Sequence, residues 1–507
     1  MIRPWLVWLA IVLIALAVAG VVSLWTAGRY ARTRRGKPAT ALPVAEDVTV
    51  LDRLLAPLVR AHPGRSGLRL VPDSAEALSL RLAMAGAAER SLDLMYYIWE
   101  DDLSGRMLAG AALAAADRGV RVRMLIDDVN LIRRDPAYRA LDRHPRIEVR
   151  LFNPIRNRDR GIRRGLELLF NLMPYNRRMH NKLFVADGRL AVTGGRNIGD
   201  AYFGIERGRG IHFDDLDVLA AGPVLRSMSD LFDRFWNSGS ALPLRGLGFG
   251  KSSRLRRFRQ RLARYLGEPA NRARLESLAM PEPGPEVLGL DRLRWTPSLA
   301  FLGDPPEKSL GTRRDGWLPS ALLPILRSAR HELRIMTPYL VPGIEGMAEL
   351  VALARSGVDI EIITNGLGRS DSMLVYGAYR WYRPRLLAAG IRLVESAHPE
   401  QPDTMMHGKA FLVDGQRAFV GSFNFDLRSA FLNTEVGVTF EDAELIAGLT
   451  GILDAASAPR RGWRVSREGR LLRWTRGDET TRMEPGTNAW KRVLTFLIGH
   501  LPIHRFL

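Results

Sequence analysis

Short apolar segments of strand length alternate with longer segments that carry an apolar stripe, and this rhythm begins after residue 66. The periodicity predicts a helix over Ala75–Ala88, a buried strand over Ser91–Trp99, a helix over Gly105–Arg118 and a strand over Val120–Asp127. A short helix is predicted before them, around Val48–Ala61. Helices that connect successive strands are typical of an α/β protein, because they cover the faces of a sheet.

The same rhythm returns in the second half of the chain. It predicts helices over Ala321–Ala329 and Gly346–Arg355, and strands over Glu332–Leu340 and Val358–Thr364. In both halves the second helix runs into a Gly-Val pair and a strand, in the sequences RGVRVRMLID and SGVDIEIIT. Solenoid repeats recur at much shorter intervals, so one repeat of this size indicates a duplicated α/β unit.

An uninterrupted apolar segment lies near the amino terminus. Trp5–Trp25 contains 21 residues with one serine and no charge. As a helix it would be about 30 Å long, which matches the hydrocarbon core of a bilayer, and tryptophans at its two ends suit the membrane interfaces. A cleaved signal peptide has a shorter apolar region, about 7–15 residues, with a small-residue site after it. We therefore favour an uncleaved transmembrane anchor.

A cluster of cations follows the predicted anchor, whereas only Arg3 and the amino terminus precede it. Its members are Arg29, Arg32, Arg34, Arg35 and Lys37. Positive residues flanking a transmembrane helix favour the cytoplasmic side, so we expect the rest of the chain in the cytoplasm. The same cluster would hold the protein against anionic headgroups.

Composition limits the classes of function. The chain has 507 residues, with 74 Lys and Arg against 54 Asp and Glu, and a net charge of +20 favours phosphate-rich partners such as nucleic acid or anionic lipid. Cysteine is absent, which excludes disulfides, cysteine nucleophiles, thiolate zinc sites and iron–sulfur clusters. Only six of the 74 cations are lysines, so each lysine is worth inspecting.

Two nine-residue sequences, HNKLFVADG and HGKAFLVDG, share the pattern H-x-K-x4-D-G, one in each half of the duplication. From the composition, about 0.006 such matches are expected per chain by chance. In each half an asparagine follows the histidine by 17 residues, and a carboxylate followed by valine lies further on. The residues concerned are His180, Lys182, Asp187, Asn197 and Asp217 in the first half, and His407, Lys409, Asp414, Asn424 and Glu435 in the second.

The residue types suit chemistry on a phosphate ester. On a strand, residues two apart lie on the same face, so the histidine and lysine of each motif project together. A neutral histidine can be a nucleophile or a general acid/base, while lysine and asparagine can bind phosphate oxygens. Asp217 and Glu435 are candidates for orienting the imidazoles. Two such sets indicate a two-step displacement, in which one histidine attacks phosphorus and the other moves protons.

The paired motifs resemble the HKD motifs of the phospholipase D superfamily. Flanking sequences narrow the resemblance to the bacterial cardiolipin synthases, and most to their C type, over about residues 67–507. These sequences are YYIWEDDLSG, GGRNIGDAYF, FDDLDVLAAGPV, PYLVPG, NFDLRSAFLNTEVGV and the terminal EPGT…LPIHRFL. The resemblance implies a duplicated α/β phospholipase D fold, with two mixed sheets flanked by helices and the active site at a pseudo-twofold interface.

Together with the predicted transmembrane helix, this gives an expected domain organisation of six segments. They are an anchor over 1–28, a basic linker over 29–66, a first phospholipase D half over 67–245, a basic insertion over 246–300, a second half over 301–450 and a C-terminal extension over 451–507. We expect a single-pass protein of the bacterial inner membrane, with its catalytic part in the cytoplasm.

The resemblance also implies roles for the motif residues. His180 would be the nucleophile that forms a phosphatidyl-histidine and His407 the acid/base. Lys182, Lys409, Asn197 and Asn424 would bind phosphate, and Asp217 and Glu435 would orient the imidazoles. Asp187 and Asp414 belong to the catalytic motifs but are expected to hold their turns. No metal or cofactor is implied.

The implied substrates are phospholipids: phosphatidylglycerol, whose glycerol hydroxyl is the acceptor, and phosphatidylethanolamine as a candidate donor. We expect contact with an anionic membrane and no nucleic-acid partner; an accessory protein stays open. Two positions depart from the motif pattern. Gly195 stands where the second motif has Ser422, and Tyr376 stands where we expect histidine, which leaves the donor and acceptor open.

Three other functions are consistent with parts of the sequence. A phospholipase D would use the same residues with water as acceptor, and a nuclease of the superfamily would use them on nucleic acid. A membrane-tethering scaffold would need no catalysis, and two complete motif sets argue against it. The predicted anchor and the apolar-basic segments favour lipid over nucleic acid. Among those segments, Lys251–Arg264 is a solvated helix face or a membrane-surface helix, and its apolar stripe favours the membrane interface. Trp490–Leu507 could dock on the core or lie in the membrane interface, and we favour docking on the core.

Overall fold

The computed structural model describes residue 8 and residues 11–22, 36–130, 135–158, 161–205, 210–247, 254–278, 284–311, 315–400, 403–469 and 471–499. Residues 11–22 form a helix (α1). No helix in these ranges is both long and apolar enough to cross a membrane. The remainder of the predicted span Trp5–Trp25 lies outside the described residues.

The first half alternates strands and helices as the periodicity predicts. Its helices are α2 (Val50–Ala61), α3 (Ser74–Ala87), α4 (Leu103–Asp117), α5 (Asp135–Leu141), α6 (Ile162–Phe170), α7 (Leu172–Tyr175) and α8 (Val224–Trp236). Its strands are β1 (Ser66–Val71), β2 (Ser91–Tyr96), β3 (Arg121–Asp127), β4 (Ile147–Phe152), β5 (Leu183–Ala186), β6 (Leu190–Gly194), β7 (His212–Asp214), β8 (Asp217–Ala221) and β9 (Ala241–Pro243).

A helical connection then leads to the second half. It contains α9 (Leu255–Leu266) and α10 (Pro269–Leu278), followed by β10 (Arg294–Thr296) and β11 (Ala300–Gly303). The helices that follow are α11 (Leu318–Arg327), α12 (Gly343–Arg355), α13 (Met373–Ala388), α14 (Leu427–Phe431), α15 (Ala443–Ser457) and α16 (Ala489–Gly499). The strands are β12 (Glu332–Met336), β13 (Leu340–Val341), β14 (Asp359–Asn365), β15 (Arg392–Ser396), β16 (Thr404–Met406), β17 (Ala410–Val413), β18 (Arg417–Gly421), β19 (Phe425–Asp426), β20 (Val436–Phe440), β21 (Gly462–Glu468), β22 (Leu471–Arg476) and β23 (Glu479–Thr481).

Two large mixed sheets organise the described chain. The first has the order β10-β1-β8-β6-β5-β2-β3-β4-β9, and the second has the order β11-β20-β18-β17-β12-β14-β15-β21-β22-β23. In each sheet three parallel strands are joined by helical crossovers, β2-β3-β4 and β12-β14-β15. An antiparallel hairpin that follows one motif histidine lies next to them, β5-β6 or β17-β18. The two halves therefore repeat the same local topology.

A shared hydrophobic core joins the two sheets. It includes Phe235 and Trp236 of α8 from the first half, and Leu449 and Leu453 of α15 from the second, all fully buried. Side chains from strands of both sheets belong to the same cluster. Two further clusters cover the outer faces of the two sheets. Burial of an aliphatic or aromatic side chain stabilises by about 1.5–3 kcal/mol, so the shared core holds the halves together.

Corresponding ion pairs tie these two helices to their sheets. Arg123 of β3 contacts Asp93 of β2 at 2.6 Å and Asp233 of α8 at 2.7 Å. In the second half, Arg334 of β12 lies 3.1 Å from Glu361 of β14, and its other contact is Asp454 of α15 at 2.6 Å. Both arginines are buried, and their hydrogen-bonded partners offset the cost of removing the charge from water.

The predicted elements are found with shifts of a few residues at their ends, but one prediction about orientation is wrong. The stripe of the basic segment Lys251–Arg264 was expected to face a membrane interface. In α9, Phe258 and Leu262 are instead buried in the core of the first half, and Leu262 packs near Gly110 of α4. The apolar stripe is satisfied by protein, and the arginines lie on the remaining faces of the helix.

The two motif hairpins turn at Asp-Gly pairs, as the sequence suggests. Asp187 and Asp414 have positive φ angles of 52° and 51°, a conformation that aspartate tolerates better than most residues. The Asp187 carboxylate accepts backbone N–H bonds of 3.0, 2.7 and 2.8 Å from residues 89, 90 and 91. Asp414 accepts the equivalent bonds from residues 330, 331 and 332. Each aspartate thus ties its hairpin to the strand beside it.

Burial distinguishes the two aspartates and leads to a prediction. Asp187 is fully buried, whereas Asp414 is partly exposed, so water can replace the lost carboxylate only at position 414. We expect Asp187→Ala to lower the free energy of unfolding by about 2–4 kcal/mol, and Asp414→Ala by clearly less. Chemical denaturation of the two variants measures this difference. Equal losses would show that burial does not control the contribution of these turns.

Candidate active site

The two motif histidines are brought together by contacts that cross between the halves. The backbone N–H of His180, just before β5, donates to the carbonyl of Thr434 in the second half at 2.9 Å. The N–H of His407 donates to the carbonyl of Asp214 in the first half at 2.6 Å, and β16 pairs in parallel with β7. Each histidine is therefore held by backbone from the opposite half.

The imidazoles are paired in the same crosswise manner. His180 Nδ1 lies 2.8 Å from Glu435 Oε2, and His407 Nδ1 lies 2.5 Å from Asp215 Oδ2. All four side chains are buried. A neutral imidazole that donates from Nδ1 to a carboxylate leaves Nε2 with a free lone pair. Both rings are thus oriented for chemistry at Nε2, in the manner of a catalytic dyad.

The expected role of Asp217 in orienting a histidine is wrong. Its carboxylate pairs with the buried Arg81 at 2.8 Å and accepts the backbone N–H of Arg196 at 3.2 Å. Asp215 occupies the position by His407 instead. Asp215 and Asp217 have the same parity on an extended segment, so alternation along the chain does not distinguish them.

Sheet register explains the misassignment and shows the signal that identifies Asp215. Gly194 lies opposite Asp217 in the first sheet, and Gly421 lies opposite Gly437 in the second. Two residues earlier, Asp215 therefore corresponds to Glu435. Aligning carboxylate-apolar-x-Val, as DLDV with EVGV, gives this match, whereas the rule of a carboxylate directly followed by valine does not.

The departure at Gly195 has a steric cause. A Cβ atom placed on Gly195 would lie only 1.9 Å from Asp215 Oδ1. At the matching position in the second half, the Ser422 hydroxyl donates to Glu435 Oε2 at 2.5 Å, and the Ser429 hydroxyl donates to Oε1 at 2.8 Å. The aspartate of one half thus fills space that the other half gives to a serine.

Both motif lysines are buried beside their histidines. Lys182 Nζ donates to the His180 carbonyl at 2.7 Å. Lys409 Nζ lies 2.9 Å from His407 Nδ1 and 3.2 Å from Nε2, and it also contacts the His407 carbonyl. Two ammonium groups in one buried site form a strong attraction for an anion.

The two predicted asparagines differ in their surroundings. Asn197 Nδ2 donates to the Tyr202 hydroxyl at 2.9 Å, and its Oδ1 accepts the backbone N–H of Ile98 at 3.2 Å. Asn424 is also buried, but its Oδ1 has no hydrogen-bond partner among the residues that the structure describes. An unpartnered buried amide oxygen is costly, so this group is a candidate for contact with a bound molecule.

Aromatic residues that the motif pattern does not single out surround the imidazoles. The Tyr97 ring lies 4.9 Å from that of His180. Around His407 the ring distances are 5.6 Å for Tyr202, 4.8 Å for Phe213 and 6.3 Å for Tyr339. The sequences YYIWEDDLSG, GGRNIGDAYF, FDDLDVLAAGPV and PYLVPG contain all four of them, but only the fold shows which rings reach the site. These rings reduce the access of water to the histidines.

Burial and the two lysines keep the imidazoles neutral. Burial lowers the pKa of His180 well below its ordinary value, and the charges of Lys182 and Lys409 add to the effect. Burial and Lys409 lower the pKa of His407 to about 4. Because Lys409 of the second half acts on His180 of the first, the two motifs share one electrostatic environment. Both histidines are therefore unprotonated at neutral pH when the site is empty.

The other charged groups of the site respond to the same burial. Burial lowers the pKa of Lys182 to about 7, and it raises the pKa of Glu435 to about 7 against the opposing influence of Lys182. Burial also opposes ionisation of Asp215, but Lys409 and His407 outweigh it and lower the Asp215 pKa below its ordinary value. Shifts of this kind, caused by burial and close charges, cluster at sites of chemistry.

The position of Tyr376 and the grouping of possible metal ligands complete the description of the site. Tyr376, where the resemblance suggests histidine, is buried in α13, and its hydroxyl accepts a 2.7 Å bond from Arg383. In the part of the chain that the structure describes, no three His, Asp or Glu side chains are grouped as metal ligands. The imidazoles and ammonium groups of the site are of the types suited to attack, protonate and bind a phosphate ester.

Comparisons with known proteins show the family to which the chain belongs. A family model described as "Cardiolipin synthase, PLD-like domain" matches residues 82–236 and 322–456. Cardiolipin synthase C of Escherichia coli strain K12 is 38% identical over 476 residues, which cover 90% of this chain and 99% of that protein. Cardiolipin synthase A of Edwardsiella ictaluri is 26% identical, over 86% of this chain and 82% of that one.

A solved structure shares the fold. The crystal structure of a phosphatidylserine synthase from Haemophilus influenzae Rd KW20 aligns with a TM-score of 0.55 and 14% identity, over 87% of this chain and 92% of that one. The family model includes both motif histidines and both imidazole-binding carboxylates. This chain therefore belongs to the cardiolipin synthase family of proteins with phospholipase D-like domains.

Proposed function

We propose that this protein is a cardiolipin synthase that transfers a phosphatidyl group to the glycerol hydroxyl of phosphatidylglycerol through a phosphatidyl-histidine. The observation that carries the proposal is the pair of neutral imidazoles, each held at Nδ1 by a carboxylate of the opposite half. The similarity to cardiolipin synthase C supplies the substrate class. The repeated sheet topology and the reciprocal contacts support a pseudo-twofold relation between the halves.

In the first step, His180 Nε2 attacks the phosphorus of the donor lipid. A phosphorus–nitrogen bond forms, the bond from phosphorus to the headgroup oxygen breaks, and His407 gives that oxygen a proton. Glu435 accepts a hydrogen bond from Nδ1–H of His180 and so stabilises the ring as it becomes positive. The negative charge of a bound phosphodiester offsets Lys409, which raises the pKa of His407 and allows it to carry this proton.

In the second step, His407 takes the proton of the acceptor hydroxyl. The acceptor oxygen attacks phosphorus, the phosphorus–nitrogen bond breaks, and His180 returns to its neutral form. We propose that Lys182, Lys409 and the Nδ2 amide of Asn424 donate to the non-bridging oxygens, while Asn197 holds the Tyr202 hydroxyl at the edge of the site. We propose phosphatidylethanolamine as the donor of the phosphatidyl group and phosphatidylglycerol as its acceptor.

Membrane attachment is part of the proposal. The described helix α1 carries apolar side chains that are largely exposed, among them Leu13, Ile14 and Val21. They suit burial in a bilayer, and the basic cluster after them suits its cytoplasmic surface. We therefore propose a single-pass protein of the bacterial inner membrane.

We also propose the division of the chain into six segments. In this division, the 246–300 segment adds strand β10 to the edge of the first sheet, and the 451–507 segment adds strands β21–β23 to the edge of the second.

Histidine variants test the two-step mechanism. We expect His180→Ala and His407→Ala each to lower cardiolipin formation by more than about 10³-fold without unfolding the protein. A donor with a nitrophenyl leaving group needs no acid, so His407→Ala should still release one burst of nitrophenol and become labelled on His180. Lipid mass spectrometry, with each donor supplied or omitted, identifies the product. Phosphatidic acid as the main product would overturn the assignment as a transferase.

Variants of Asp215 and Asp217 distinguish a residue that acts at the active site from one that stabilises the fold. Asp215→Asn should slow turnover by about 10²–10⁴-fold, because His407 loses its charged partner, with little change in melting temperature. Asp217→Asn should mainly destabilise the protein, by about 3–5 kcal/mol, because it leaves Arg81 buried without its carboxylate. Steady-state kinetics and thermal unfolding of both variants measure the contrast. If Asp217→Asn slowed turnover without destabilising the fold, the assignment of the two aspartates would be reversed.

Lys182 should be costly for stability. Its pKa is about 7 in the folded protein and ordinarily 10.5, so between these values the unfolded chain binds more protons and stability rises with pH. We expect Lys182→Met to abolish transfer yet raise the free energy of unfolding at pH 7 by about 1–3 kcal/mol, with a smaller gain at higher pH.

Lys308→Met provides the matched control. Lys308 is equally buried but pairs with Asp304 at 2.8 Å, so its replacement should destabilise the protein. Denaturant unfolding of the wild type and both variants, at two pH values, measures the difference. A Lys182→Met variant less stable than the wild type at pH 7 would contradict the expectation.

A further inference from the structure

The terminal helix α16 packs on α13 through small residues. A Cβ atom on Gly377 of α13 would lie 3.2 Å from the backbone nitrogen of Gly499 and 3.3 Å from the carbonyl oxygen of Thr495. Thr495 is fully buried, and Trp381 Nε1 donates to the Gly499 carbonyl at 2.6 Å. The close contact fixes which face of α16 meets the protein. Docking on the core is the arrangement favoured from the sequence of Trp490–Leu507, of which residues 500–507 lie outside the described residues.

The other face of α16 is apolar and exposed. Trp490, Val493, Phe496 and Leu497 are each more than half exposed. Positions three, four and seven apart lie on one side of a helix, and here that side is opposite the buried Thr495. Trp381 of α13, 52% exposed, adds to the surface. Large apolar side chains grouped at the surface of a protein mark a site of interaction.

The charge of this surface favours an anionic partner. Neither α13 nor α16 contains aspartate or glutamate. Their cations are Arg380, Arg383, Arg385, Lys491 and Arg492. Arg383 points inward to Glu395 and Glu484, whereas Arg380 is partly exposed: its Nε lies 3.4 Å from Glu484, and its guanidinium lies 5.7 Å from the Phe496 ring. An apolar face bordered by cations, with tryptophan at its edge, is typical of helices that lie in a bilayer interface.

The same surface begins beside the catalytic histidines. The Tyr339 hydroxyl donates to Asp371 Oδ2 at 2.8 Å, and the Tyr339 ring lies 6.3 Å from that of His407. Asp371 directly precedes Ser372, the N-cap of α13, and Leu374 in the first turn is 42% exposed. The exposed apolar residues therefore extend from the neighbourhood of His407 along α13 to α16.

We propose that the exposed face of α13 and α16 is an interfacial surface that binds an anionic bilayer and directs the active site toward it. This inference rests on the proposed function, because the lipid substrates then enter from the surface to which the face binds. Arg380, Lys491 and Arg492 interact with phosphate headgroups, and Trp490, Val493 and Leu497 insert among the acyl chains. A single apolar anchor leaves the catalytic part free to rotate, whereas this second contact fixes its orientation.

The absence of cysteine allows a direct test. Val493→Cys in the full chain gives one site for an environment-sensitive fluorophore. Ser356→Cys, exposed at the end of α12 near the start of β14, is the matched control. In vesicles of phosphatidylcholine with phosphatidylglycerol, we expect the label at 493, and not at 356, to shift to shorter wavelength and to be quenched by lipids with a quencher in the acyl chain.

Two results would overturn the proposal. One is a label at 493 that stays as exposed to water as the label at 356 in these vesicles. The other is shielding of position 493 that needs no lipid and increases with protein concentration, which would assign the face to a second protein. Both measurements are independent of catalysis, so they remain informative even if the proposed transferase activity is absent.

Activity provides a second arm. Val493→Glu combined with Leu497→Glu should lower the ratio of transfer on vesicles to transfer on detergent-dispersed lipid by at least about tenfold, because charges replace inserted side chains. Val48→Glu is the control, since Val48 is 67% exposed and lies just before α2, on a different part of the surface. An unchanged ratio would contradict the inference, whereas a wild type inactive on both vesicles and dispersed lipid would contradict the proposed function instead.

Discussion

Each half supplies the carboxylate that binds the histidine of the other half, and the rest of the structure depends on this exchange. His180 is bonded to Glu435 and His407 to Asp215, so neither half has a complete set of groups by itself. Backbone contacts at Thr434 and Asp214 place each histidine where this exchange is possible. Because the bonds are buried, small relative shifts of the halves would leave charged groups unpaired at a cost of several kcal/mol.

A shared hydrophobic core and a few buried ion pairs support this exchange. One hydrophobic core contains side chains of both sheets, and α8 and α15 contribute aromatic and aliphatic groups to it. Arg123 and Arg334 tie those helices back to their own sheets through buried ion pairs. The parts that define the relation of the halves thus combine nonspecific burial with a few directional contacts, which fix one arrangement.

The site stores unfavourable charge that binding can relieve. Burial lowers the pKa of both histidines, Lys409 adds to the effect at both and Lys182 at His180, and the anionic phosphodiester of the proposed substrate would offset the lysine charges on binding. The same charges prepare the nucleophile and attract the substrate. The protein surface near the same site also suits an anionic lipid, since α13 and α16 present apolar side chains bordered by cations.

The α/β class, the duplication, the two motifs and their turns are predicted from the sequence, because periodicity and spacing are local properties of the chain. Spacing also predicts His180, His407 and Glu435 as candidate site residues. It does not predict that Asp215 and not Asp217 meets His407, because the two have the same parity and are distinguished by sheet register. Tertiary packing likewise buries the apolar stripe of α9 in the core and leaves one apolar face of α16 exposed. An amphipathic sequence predicts that a helix has an apolar face, but the neighbouring elements determine whether protein covers that face.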